Sequence, residues 1–90
     1  MKKKEVSVLL VLDEGASNYR CDYEPIAVFD IANRENIRSA VVDYFLKFNY
    51  DEDENVEWID EIVENLFNDA KHDDIEGEIY FKLMTTDYYI

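Results

Sequence analysis

The stretch from residue 51 to residue 78 does most to limit what this chain can become. It holds thirteen acids and a single base, Lys71, while apolar residues recur through it at steps of three and four. Ile59, Ile62, Val63, Leu66, Phe67 and Ala70 fall on one side of a helix, and Glu57, Asp60, Glu61, Glu64 and Asp69 fall opposite, with Asn65 and Asn68 among them. A segment patterned in this way lays one face on a core and turns a negative face outward. Asn55 stands where a helix of this kind would be capped, and Lys71 and His72 at its end suit the negative pole of the helix dipole.

The rest of the chain supplies what that helix packs on. Val6, Val8, Leu10 and Leu12 alternate with Ser7, Leu9 and Val11, so both faces of this first strand are apolar, as in a central strand covered in part on each side. Lys2 to Lys4 followed by Val6 to Leu12 imitate a signal peptide, but the apolar run is short and ends in Asp13 and Glu14. It is also far below the ~20 residues that span a bilayer. The turn formers Asp13 to Asn18 lead to Tyr19, Cys21 and Tyr23, which alternate with Arg20, Asp22 and Glu24 as in a half-exposed second strand. Pro25 makes that strand an edge or marks a bulge, since it cannot donate a ladder hydrogen bond. Asn33 is placed to cap a helix over 34–48, where Ile37, Ala40, Val41, Tyr44, Phe45 and Phe48 form the stripe. Gly77 marks a break, after which Ile79, Phe81 and Leu83 alternate with Tyr80, Lys82 and Met84 in a last strand that runs toward Tyr88.

This order, ββααβ, predicts an α+β fold in one domain of residues 1–90: a three-stranded antiparallel sheet with two helices packed on one face. The first strand belongs in the middle, with the last strand pairing to it. The sheet's other face would then show Ser7, Leu9, Val11, Tyr80, Lys82 and Met84. That face is either a surface for a second copy or a partner, or the side that the helices cover.

Ninety residues allow only a small core, and the one cysteine, Cys21, rules out an internal disulfide framework and fits a reducing cytoplasm, that of a bacterial host if the chain is phage-encoded. The acid-rich segment fails as an EF-hand. Counting from Asp51 puts Val56 where the loop needs glycine and Ile62 where it needs glutamate; counting from Asp53 recovers Glu64 but puts Trp58 at the glycine position. His72, beside Asp73 and Asp74, reads as a surface histidine, and no signature joins it to Cys21 as a catalytic pair. With Gly15 and Gly77 the only glycines, there is no phosphate-cradling loop. The residues call for no cofactor and no metal, and they do not suggest an enzyme.

Charge is what remains to be explained. The net charge is −13, of which residues 51–78 carry −12, while residues 1–50 carry −1. So acidic a surface argues against direct contact with nucleic acid or anionic lipid, because phosphate contacts need Lys and Arg. Glu57–Glu61 and Asp60–Glu64 are like-charge pairs at four-residue spacing, each costing about 0.2–0.5 kcal/mol, and a helix that needed only solvation would do better with Glu-to-Lys pairs. Fifteen helical residues span about 22 Å, so five carboxylates fall about 4–5 Å apart, near the ~3.4 Å per charge along one DNA strand. Asp51, Asp53 and Glu54 extend the track ahead of the helix, and Trp58 and Tyr50 could anchor it, with Tyr88 and Tyr89 as further aromatics.

A small, acidic, aromatic-rich α+β chain of this kind resembles the phage-encoded DNA-mimic inhibitors of the anti-CRISPR and anti-restriction type. The resemblance rests on residues 51–78 and on size, and no defining motif accompanies it. It implies an inhibitor that occupies a basic nucleic-acid-binding effector, such as a CRISPR or restriction nuclease, through Asp51, Asp53, Glu54, Glu57, Trp58, Asp60, Glu61, Glu64 and Asp69. The same electrostatics suit an immunity or antitoxin protein for a basic nuclease toxin. A third reading is a non-enzymatic module that dimerises through its sheet, with the acids serving solubility.

Overall fold

The computed structural model describes residues 2–13, 22–47, 55–74 and 78–89. In chain order they form β1 (Lys3–Asp13), β2 (Glu24–Phe29), α1 (Arg34–Leu46), α2 (Val56–Asp69), β3 (Lys71–Asp74) and β4 (Ile79–Tyr89). The fold is α+β, with an antiparallel sheet in the order β2-β1-β4-β3. The β1–β4 ladder runs without interruption from Lys3↔Tyr89 to Asp13↔Ile79. β1 is therefore interior and paired to the last strand, as its two apolar faces predict.

The sheet has four strands rather than the three expected. The added strand, β3, pairs with β4 from Lys71↔Lys82 to Asp74↔Ile79. Lys71 and His72 thus belong to an edge strand and not to the end of the second helix. Ala70 makes the difference: it leaves the helix in the left-handed conformation (φ 61°, ψ 14°), its N–H donating to the Leu66 carbonyl. The Ala70 carbonyl then accepts from the Leu83 N–H at 2.8 Å, which fastens the end of α2 to β4. A Cβ disfavours this backbone conformation, so Ala70→Gly is expected to stabilise the fold by about 0.5–1 kcal/mol, read as a higher urea midpoint with unchanged slope.

At the other edge, Leu9 pairs with Ala27 but Leu10 with Pro25, leaving Ile26 as an extra residue on β2. This bulge sits beside a proline on an edge strand, the one sheet position where a missing N–H is harmless. Tyr19 and Cys21, assigned to this strand from the sequence, lie outside the described residues, as do Gly15, Phe48, Tyr50 and Gly77.

α1 begins as its sequence predicts. Asn33 is extended (φ −129°, ψ 170°), and its side chain accepts from the Asn36 N–H at 2.8 Å. Asn55 occupies the corresponding position ahead of α2, but its backbone is not extended there (φ −115°, ψ 18°), and its side chain makes no capping hydrogen bond.

The core lies between the helices and one face of the sheet. Ile37, Val41, Tyr44 and Phe45 of α1 and Ile59, Ile62, Val63 and Leu66 of α2 pack with Leu9, Val11, Ile79 and Phe81. Cross-strand partners share a face, so the β1–β4 register puts Leu9 and Val11 beneath the helices together with Phe81 and Leu83. The expectation for β1 is therefore inverted: Leu9 and Val11 face the core, and Val8, Leu10 and Leu12 lie on the open side with Tyr80, Lys82 and Met84. Two members of the predicted α2 stripe also lie outside the core, since Phe67 is 41% exposed and Ala70 is the exposed turn residue.

Candidate acidic interface

α2 carries Glu57, Trp58, Asp60, Glu61, Glu64 and Asp69 of the expected interface, whereas Asp51, Asp53 and Glu54 lie outside the described residues. Burial of Ile59, Ile62, Val63 and Leu66 fixes the helix about its axis. The turn of 100° per residue then sends Glu57, Glu61, Glu64 and Asn68 directly outward, and all four are exposed. Asp60 and Phe67 fall on the flank that meets the α1 arginines, and Trp58, Asn65 and Asp69 on the opposite flank.

Trp58 is half-buried and packs on Phe45, with ring centroids 4.7 Å apart and planes at 36°. Phe45 in turn meets Phe81 and Tyr44 edge-on at 6.0 and 5.7 Å. The indole therefore closes the edge of an aromatic cluster, leaving only part of its surface for a partner.

The carboxylates do not share one environment. Asp60 pairs with Arg38 of α1, and Glu64 accepts from the Arg34 Nε–H at 2.7 Å. These pairs run in opposite chain directions at four-residue steps, so the helices lie antiparallel and their charged flanks meet in register. Arg34 also sits over the Phe67 ring, 4.2 Å from its centroid. The seam forms a groove of about 510 Å³ lined by Arg34, Glu35, Arg38, Asp60, Val63 and Glu64. All four of its paired side chains stay substantially exposed, so each bridge contributes at most about 1 kcal/mol. They do relieve the repulsion between Asp60 and Glu64. Glu57 and Glu61 receive no such relief: among the described residues no cation pairs with either, and the same holds for Asp69.

His72 departs from the surface position expected of it. It lies on the helix-covered face of β3, opposite Phe81, and is only 7% exposed. Its Nδ1 is 2.8 Å from Asn65 Nδ2 of α2. With the amide as donor, the ring is the Nε2–H tautomer and the bond ties α2 to the edge strand. A second tie joins β1 to α1, where the Tyr44 hydroxyl donates to Asp13 Oδ2 at 2.6 Å.

Among the described residues no group of three His, Cys, Asp or Glu side chains is arranged to hold a metal ion, and no helix is long and apolar enough to cross a membrane. The chain matches no known protein family, and no curated protein or solved structure is significantly similar to it.

Proposed function

We propose that this chain is a non-enzymatic inhibitor that presents the outer face of α2 as a stand-in for nucleic acid to a basic DNA- or RNA-binding effector, such as a CRISPR or restriction nuclease. The observation that carries the reading is the pair Glu57 and Glu61. They point outward one helical turn apart, with no described cation beside them, in a segment of net charge −12. A fold that needed only solubility gains nothing from that arrangement, because like charges at this spacing weaken a helix. A basic groove gains from it, since the carboxylates replace the groove's bound anions and the long-range field speeds encounter. Asp60 and Glu64 lie beside this pair, already in part compensated by Arg38 and Arg34. They therefore contribute less to binding per charge than Glu57 and Glu61.

The test is competition for CRISPR and restriction nucleases loaded with a fluorescent target duplex. The chain is expected to displace the duplex, less well as salt rises. Glu57→Gln with Glu61→Gln should weaken displacement about tenfold, roughly 1.4 kcal/mol, with the fold intact. Asp60→Asn with Glu64→Gln should weaken it less. Displacement that is unaffected by losing Glu57 and Glu61 would remove the basis for the reading.

A further inference from the structure

We infer that the face of the sheet that no described helix covers is the docking surface for a second copy of this chain. The face follows from register: Val8, Leu10 and Leu12 of β1 pair across the ladder with Met84, Lys82 and Tyr80 of β4, and all six lie opposite the helices. Val28 of β2 pairs with Val8 on the same side and is 64% exposed, while Met84 is 43% exposed. This differs from ordinary scattered surface apolarity, because these side chains are neighbours on adjacent strands and form one patch.

Its extent suits a dimer. Eleven paired residues at about 3.4 Å each make the ladder about 37 Å long, and with strands ~4.8 Å apart the face covers on the order of 500 Å² in projection. A stable interface needs about 600–1,000 Å² of accessible surface per partner, and the projected face comes near the lower end of that range.

Charge selects the occupant. On and around the face, Lys4 pairs with Asp30 at 3.0 Å and Lys71 with Asp73 at 3.5 Å, and the Lys82 ammonium lies over the Tyr23 ring, 5.9 Å from its centroid. Both signs are present in near balance, as a self-complementary two-fold interface requires. Two molecules of net charge −13 repel each other over α2, and this face is where a second copy can approach with its acidic helix turned away. The two sheets then stack about 10 Å apart, in the aligned manner of a β-sandwich, with one α2 on each outer side. This inference does not depend on what α2 binds.

Light scattering across roughly 1–100 µM should show a monomer converting to a dimer. Association should tighten as salt rises, because screening weakens the repulsion between copies while the contact itself is apolar. That is the opposite sign to the salt dependence of a basic partner on α2. Val28→Lys and Met84→Lys, made singly and together, should shift the protein to monomer with an unchanged circular dichroism spectrum. Glu57→Gln with Glu61→Gln should leave the dimer in place. In the unaltered protein, acetylation of Lys82 should slow as concentration rises, while that of Lys3 should not. A monomer at every concentration and salt level overturns the inference. So does a dimer that survives both lysine substitutions, or one in which Lys82 stays fully reactive.

Discussion

Phe81→Ala is expected to cost about 3–5 kcal/mol and to lower the thermal midpoint by roughly 15–30 °C. Phe81 is fully buried on β4 and meets Tyr44 and Phe45 edge-on, each with ring centroids 6.0 Å away. It is flanked in the sheet by Val11 and His72, so it touches α1, β1 and β3 at once. Truncating it removes the transfer free energy of the ring and opens a cavity between layers that the ladder prevents from collapsing. A chain of this length has a total stability of about 5–13 kcal/mol, so this one change takes about a quarter of it or more. Phe67→Ala is the control, because Phe67 is half-exposed on the α1 flank and its described partner is the Arg34 guanidinium. It should cost under about 1 kcal/mol. Urea melts of both variants with unchanged slopes would check the comparison, and a Phe81→Ala cost no larger than that of Phe67→Ala would mean that the layers do not meet at this residue.

The same contrast shows what periodicity can and cannot reveal. Phe67 falls at a stripe position by counting, but the stripe is wide, and its edge abuts the arginines of α1 instead of the sheet. β4 was legible because Ile79, Phe81 and Leu83 are wholly apolar, while Tyr80 and Lys82 between them carry polar groups. β1 offered no such contrast, since Val6, Val8, Leu10 and Leu12 look as core-like as Leu9 and Val11. Its orientation is settled by pairing with β4, which is not a local property. β3 was hidden for another reason. Lys-His-Asp-Asp has low strand propensity, and its place on the sheet comes from the left-handed turn at Ala70 and the Leu83–Ala70 hydrogen bond. The faint local signal was alternation, with His72 inward between Lys71 and Asp73.

The acidic face was legible as a composition but not as a circuit. That α2 turns carboxylates outward follows from its apolar stripe. That Asp60 and Glu64 are answered by Arg38 and Arg34 depends on contacts 22 and 30 residues apart. A signal did exist: two arginines four apart on one helix match two carboxylates four apart on the next, as antiparallel neighbours require. The pairing divides the face into a compensated flank and the uncompensated pair Glu57 and Glu61, which narrows the proposed binding surface to fewer charges.

Asn65→Ala is expected to cost about 1–3 kcal/mol, more than a half-buried amide would suggest. The cost arises at His72, whose Nδ1 loses the amide 2.8 Å away while the ring remains buried on the core face of β3. A buried acceptor left without a donor leaves the cost of its removal from water uncompensated, whereas removing both partners leaves nothing unsatisfied. His72→Phe in an Asn65→Leu background should therefore recover much of the loss, although His72→Phe alone would not be neutral. Wild type, Asn65→Leu, His72→Phe and the Asn65→Leu/His72→Phe double variant form a double-mutant cycle, and a coupling of about 1 kcal/mol or more between the two sites is the expected result. Additive costs would show that the contact stabilises nothing. The pair also bears on function through geometry. It is a side-chain hydrogen bond between α2 and the sheet edge, so it adds to the apolar contacts that set the rotation of the helix and point Glu57 and Glu61 outward. In Asn65→Ala the charges are all retained, but α2 is held less firmly on the flank that meets the edge strand. If the outward alignment of those two carboxylates is what a basic partner reads, displacement of duplex by this variant should weaken even where the protein is fully folded.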